Sequence, residues 1–296
     1  MRTLLALVLP WLGGLTLHPA TGPATHVPLP ADHAATVLLL GPATGGGWVL
    51  ADERGDRKVV LLLRGGRLST IRSVDDPQDG TSFLLASDGT HVVEVDAPTT
   101  RRTDVWTFDL AGRDVHHLRR NGWQTLLGYD GTTVHLTGSR RTIAWRPGSA
   151  PEVIARSGGL AVDAPHDTLF TFDSAQGTYG PTSLAAPGAQ VWSLPPTDFY
   201  PRSVSPDGAY VAGLGGTRAN HVQVRRMSDG SLVSDWRRHL AYERPLVWED
   251  ATHVVSVLRT RKGWALVRCD VGGGCTRITK LSGDPLSLPF QEVSFS

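Results

Sequence analysis

Residues 204–213 read Val204-Ser205-Pro206-Asp207-Gly208-Ala209-Tyr210-Val211-Ala212-Gly213. Two apolar ends flank Pro-Asp-Gly, the chemistry of a tight turn between strands: glycine tolerates positive φ, and the aspartate carboxylate accepts bonds from nearby backbone N–H groups. Aligned on that turn, the pattern returns in SFLLASDGTHVVEV (82–95), QTLLGYDGTTVHLT (124–137), GLAVDAPHDTLFTF (159–172) and PLVWEDATHVVSVL (245–258). A degenerate first copy, TVLLLGPATGGGWVLA (36–51), lacks the aspartate. The turn residues Asp88, Asp130, Asp167, Asp207 and Asp250 recur roughly every 40 residues, a period that suits one propeller blade.

The second half of each unit repeats too, as a third strand, a Gly-containing turn and a fourth strand. The copies are VVLLLRGGRLSTI (59–71), VWTFDLAGRDVHHL (105–118), IAWRPGSAPEVI (143–154), SLAAPGAQVWSL (183–194), VQVRRMSDGSLVSDW (222–236) and ALVRCDVGGGCTRITKL (265–281). Six units of four strands account for nearly everything from about residue 35 to residue 281. The turn SPDG followed by Ala209-Tyr210-Val211-Ala212, with a third strand ending in Asp and Gly, resembles the repeat of TolB-like β-propellers, distant relatives of WD-repeat propellers. The resemblance implies an all-β, six-bladed β-propeller of four-stranded antiparallel blades. It implies no activity, since propellers host binding proteins, hydrolases and lyases alike.

Composition and termini bound the rest. The 296 residues carry a formal net charge of +1, which gives no reason to expect nucleic acid as a partner. Arg2 followed by LLALVLPWLGGLTL (4–17) has the form of an export signal, and small residues near Ala20 and Ala24 suit cleavage. The run is too short to span a bilayer comfortably, so no transmembrane span is expected in the mature chain. The expected organisation is a signal peptide over 1–24, a linker or seam segment over 25–34 and a single propeller domain over 35–296, secreted or in the cell envelope and monomeric. A tail strand within Pro285–Ser296 is expected to pair with the segment 25–40 where the ring closes.

Cys269 and Cys275 flank a Gly-rich hairpin tip in the last unit, and in an exported protein such a pair bridges the hairpin. No further ligand stands near them, the histidines are scattered, and neither a metal nor another cofactor is expected. Arg54-Gly55-Asp56 is read as turn chemistry rather than an adhesion motif, and Trp106, Trp145, Trp192, Trp236 and Trp264 as packing in third or fourth strands.

One asymmetry exceeds these. The second-to-third loops carry Arg54, Arg57, Arg101, Arg102, Arg140, Arg141, Arg218, Arg259, Arg261 and Lys262 against Glu53, Asp56, Asp96, Asp104 and Asp173, whereas the first-to-second turns carry Asp88, Asp130, Asp167, Asp207, Glu249 and Asp250 and no Lys or Arg. In a propeller these two sets of loops lie on opposite faces. Arginine offers bidentate hydrogen bonds to carboxylate or phosphate, so the basic loops are the candidate site of a non-catalytic binding or scaffold module. Its expected partner is a protein or anionic polymer of the envelope. The alternative is an extracellular glycan hydrolase or lyase using loop carboxylates at the channel mouth: Asp75, Asp76, Asp79, Asp198, Glu243 and Asp284.

Overall fold

In the computed structural model of the protein, residues 5–8, 14–19, 25–28, 37–54, 57–75, 81–99, 101–216, 221–237, 246–283 and 286–288 are described. Contacts divide the chain into two compact units, Met1–Ala31 with Pro165–Pro289 and Asp32–Ala164 with Phe290–Ser296. Among the described residues the one helical element is a 3-10 turn, Ala164–His166, and no helix is long and apolar enough to cross a membrane.

The first repeat unit forms strands β4 (Val37–Pro42), β5 (Trp48–Arg54), β6 (Arg57–Arg64) and β7 (Arg67–Asp75). The second forms β8 (Ser82–Leu85), β9 (His91–Thr99), β10 (Arg102–Asp109) and β11 (His116–Asn121). The third forms β12 (Thr125–Tyr129), β13 (Val134–Gly138), β14 (Arg141–Trp145) and β15 (Glu152–Ala155). The fourth holds β16 (Gly159–Asp163), β17 (Thr168–Asp173) and β18 (Thr178–Ser183). The fifth forms β19 (Phe199–Val204), β20 (Tyr210–Gly215), β21 (His221–Arg226) and β22 (Leu232–Trp236), and the sixth β23 (Val247–Trp248), β24 (His253–Thr260), β25 (Gly263–Asp270) and β26 (Cys275–Arg277). Each unit is its own sheet with its strands in chain order, so the six repeats are six blades of a β-propeller.

Two features depart from the repeat reading. The fourth blade has three strands: Gly188 and Pro187 break the segment expected to form its outer strands, and Val191 N–H reaches only the carbonyl of Pro181. Leu194 then meets Tyr179 in a single isolated bridge. Proline cannot donate to a ladder, and Pro181, Pro187, Pro195 and Pro196 together deny this stretch a continuous one. The second feature is a further four-stranded sheet. Strands β1 (Leu5–Val8), β2 (Gly14–Pro19) and β3 (Thr25–Pro28) join β27 (Leu286–Ser287) in the order β27-β1-β2-β3, with Leu7 opposite Ser287 and Val8 opposite Leu286. Among the described residues the tail strand thus pairs within residues 5–8, a stretch read as export signal, rather than with 25–28 or 37–40.

The Asp-Gly turns behave as their chemistry requires. Gly89, Gly131 and Gly208 have φ of 71°, 100° and 72°. Asp88 Oδ1 accepts the Thr90 N–H at 3.0 Å and Asp130 Oδ1 that of Thr132 at 2.7 Å, and in the sixth blade, where Ala251 takes the glycine's place, Asp250 Oδ1 still accepts that of Thr252 at 2.7 Å. Middle strands are buried almost end to end, as Val59–Leu63 in β6 and Val254–Val257 in β24 illustrate, whereas the outer strand β11 alternates. Both faces of a blade's middle strands are covered by neighbouring blades, so their sequences lose the polar alternation of a half-exposed strand. Within the unit Asp32–Ala164, Phe108 packs among Val49, Ile71 and Phe83, while Trp145 packs among Leu84, Val93 and Leu126. Each such side chain, fully removed from water, contributes about 1.5–3 kcal/mol.

Cys269 and Cys275 are joined by a disulfide across the directly opposed positions of β25 and β26. With a sequence separation of 6 the loop is short, and the chain-entropy account assigns it about 2 kcal/mol.

Candidate anion-binding face

The described basic residues lie where the repeat phase places them, at hairpins between second and third strands. In the unit Asp32–Ala164, Arg101 and Arg140 occupy turns, and Arg57, Arg102 and Arg141 open β6, β10 and β14; all are exposed. In the other unit, Arg259 is exposed near the end of β24, and Arg261 and Lys262 form its turn. Arg54 is the last residue of β5, and Arg218 lies outside the described residues, as do Gly55 and Asp56.

Several of these cations are already engaged. Arg57 Nε lies 2.6 Å from Asp75 across β6 and β7, with both groups largely in water, a geometry that stabilises little. The Arg259 guanidinium stands 5.1 Å from the centre of the Trp264 ring.

Arg102 has a partner on its own strand, an acid that the sequence reading assigned to the second-to-third loop. Asp104, two residues along β10, is completely buried, and its Oδ2 accepts from Arg102 Nε. Its Oδ1 accepts from Arg119 Nε at 2.9 Å and from His117 Nε2 at 2.8 Å. Burial pulls the Asp104 pKa upward, but the bonds from Arg119, Arg102 and His117 outweigh it and hold the carboxyl below the ordinary range. His117 stacks on Trp106 with ring centres 4.8 Å apart. Arg72 also lies against Trp106, 5.7 Å from its ring centre and 5.2 Å from that of Phe108, with its Nε bonded to the buried Glu94. Burial dominates at Glu94 and raises its pKa despite Arg72, and the neighbouring Asp96 adds to the rise. Arg72 and Arg119 sit on the outer strands β7 and β11. The visible signal was acidic residues inside strands, Glu94, Asp96 and Asp104, where burial without a partner would be prohibitive.

The first-to-second turns are less acidic in effect than in composition. Arg268 on β25 binds Glu249 through both Nε and Nη2. His253 lies between Asp250, 2.7 Å from Nδ1, and Asp270, 3.3 Å from Nε2. The Ser205 hydroxyl, with the Ala209 N–H, holds Asp207 below its ordinary pKa.

Of the acids considered for catalysis, Asp75 is paired with Arg57 and Asp198 accepts from the Thr197 hydroxyl at 3.2 Å. Asp76, Asp79, Glu243 and Asp284 lie outside the described residues. Among the described residues no group of three His, Cys, Asp or Glu side chains is placed to hold a metal ion. Trp145 and Trp236 are buried core residues, and Trp236 Nε1 donates to the Gly273 carbonyl of the next blade. Trp192 lies in the loop after β18 rather than in a strand, and donates to the Met227 carbonyl.

No protein-family model matches the chain, and no curated protein matches its sequence. Solved structures do match. TolB from Acinetobacter baumannii aligns over 98% of this chain and 64% of its own, with a TM-score of 0.52 and 15% identity. A structure from a study of two prolyl endopeptidases aligns over 98% of this chain and 51% of its own, at a TM-score of 0.60 and 13% identity. A candidate 6-phosphogluconolactonase from Bacteroides uniformis aligns over 98% and 99%, at 0.60 and 14% identity. This chain therefore spans only part of the first two. Identities this low carry no activity across, and what the likeness establishes is the fold, a β-propeller that TolB shares.

Proposed function

We propose that the protein is an extracytoplasmic β-propeller that binds an anionic partner, a polymer or an acidic protein surface of the cell envelope, through its arginine-bearing second-to-third hairpins. The observation that carries this reading is the exposure of Arg101, Arg102, Arg140 and Arg141 on consecutive, mutually packed blades of one unit. Exposed charges farther apart than about 8–10 Å are screened at physiological salt, so clustering at adjoining hairpin tips is what lets their potentials add.

Replacing these four arginines together with serine is expected to shift elution from an anionic matrix, or from native envelope material, to clearly lower salt. The fold is expected to persist, because Arg101, Arg140 and Arg141 are exposed and the buried Asp104, which loses Arg102, keeps its bonds from Arg119 and His117. Equal retention of variant and wild type rejects the proposal.

The disulfide supports an oxidising compartment. Export and the terminal sheet make opposite demands on residues 5–19: cleavage after Ala20 or Ala24 would leave only β3 and β27, which are not neighbours. Intact mass of the protein recovered from its native host checks the location. A chain short of its first 20–24 residues is the expected result, and a full-length intracellular chain overturns export.

A further inference from the structure

We infer that Asp104, Arg102 and Arg119 form a built site for a tetrahedral oxyanion, the phosphate or sulfate group of an ester or polymer, at the second-to-third hairpin end of the second blade. The inference rests on the anionic-partner reading and narrows it to one place and one ligand geometry.

Burial separates the charges. Asp104 is 0% exposed, whereas the side chains of Arg102 and Arg119 are 49% and 59% exposed. The negative end of the cluster is therefore out of solvent while both positive ends face it. Each arginine gives Nε to a different carboxylate oxygen. Their Nη nitrogens make no hydrogen bond among the described residues, which leaves the outward part of each guanidinium unspent.

Strand register sets the spacing. Arg119 on β11 is directly opposite Asp104 on β10, and Arg102 is opposite Asn121. Arg102 and Arg119 are consequently diagonal neighbours on one face, a relation that separates backbones by roughly 7–8 Å and lets long side chains meet. Two like charges so placed repel, and the carboxylate between them offsets that repulsion while limiting their rotamers. Most of the ordering that an arginine ordinarily undergoes on binding an anion has thus occurred before the ligand arrives. His117 braces the same carboxylate oxygen at 2.8 Å, and its ring is fixed against Trp106.

The ligand class follows from the donors. One planar carboxylate is satisfied by a single guanidinium fork. A tetrahedral oxyanion has three or four oxygens and can accept from two forks that approach from different strands.

The test uses the full chain and inorganic phosphate, read through the NMR signals of the His117 ring and the arginine Nε–H groups. Wild type is expected to show saturable shifts, and Arg119→Gln to weaken them at least tenfold. Asp104→Asn separates organisation from mere charge. If net charge alone attracted the anion, removing one negative group would tighten binding; if Asp104 holds the arginines in place, binding weakens. Weaker binding in both variants supports the site. Absence of saturable shifts in wild type, unchanged binding in Arg119→Gln, or tighter binding in a folded Asp104→Asn overturns it. Should Asp104→Asn fail to fold, Arg119→Gln decides alone. Glucose 6-phosphate and a polyphosphate, titrated in parallel, tell a free ester from a polymer-borne group. Matrix retention is scored separately on a variant that leaves the site intact, with Arg101, Arg140 and Arg141 changed together to serine: lost phosphate shifts in Arg119→Gln alongside unchanged retention in the triple variant would keep this site and reject the broader face.

Discussion

Arg72→Met is expected to destabilise the protein by about 3–5 kcal/mol near neutral pH, the usual cost of stranding a buried charge. Glu94 is 1% exposed, and its carboxylate accepts a hydrogen bond from Arg72 Nε. Methionine keeps an apolar stem near Trp106 and Phe108, so the loss reports the charge rather than the packing. The pH dependence has a definite sign. Burial raises the folded-state pKa of Glu94 above its unfolded value even with Arg72 present, and removing the guanidinium raises it further. A carboxyl with a raised folded pKa contributes stability that is intact below the unfolded pKa and lost as pH climbs through the folded one. The deficit of Arg72→Met relative to wild type should therefore shrink toward about pH 4–5, where carboxyls protonate, and widen toward neutrality. Adding Glu94→Gln should recover most of it. Urea unfolding of the three proteins at both pH values checks the chain of reasoning, and a deficit that is independent of pH and unrelieved by Glu94→Gln would show that Arg72 acts only as a packing group.

Leu288→Ala is expected to cost about 2–5 kcal/mol, as buried leucine truncations do when the surroundings collapse only in part. Leu288 is 0% exposed and joins Val255, Val257 and Leu266 in a cluster that Val247 and Trp264 flank. It directly follows β27, so the tail is seated on the sixth blade by a side chain, a contact that removal of β1 by cleavage would leave in place. Deleting residues 286–296 should lower the unfolding midpoint at least as much as the point substitution. An unchanged midpoint in either variant would mean the tail is only a tether, and would remove the reason for the terminal sheet.

The blade pattern was readable because its determinants are local. An Asp–Gly turn is made by a carboxylate bonding an N–H two residues away and by one glycine at positive φ, so Asp88 and Asp130 announce their hairpins without reference to anything distant, and Asp250 does so by its carboxylate alone, with Ala251 in the glycine's place. The phase of those turns also placed Arg101, Arg102, Arg140 and Arg141 at second-to-third hairpins. The fourth blade misled for an equally local reason: SLAAPGAQVWSL has apolar ends around a Gly-containing turn, yet prolines on either side deny it a ladder.

What stayed hidden depends on which face meets which. Arg72 and Glu94 are 22 residues apart and Arg119 and Asp104 are 15 apart, and on paper each arginine is one more solvated charge. Packing of β7 against the face of β9 and β10 turns the first pair into an interior ion pair, while the register of β10 and β11 makes the second a braced guanidinium. The longest separation is the least legible: Leu7 faces Ser287 because the two ends of the chain meet in one sheet. Strand, turn and blade count across 37–277 were thus properties of the amino-acid order, since each is settled by bonds within a few residues. Which charges are buried, which arginines are held still and where the tail docks were decided only by the tertiary structure, because desolvation and register depend on residues that the sequence places far away.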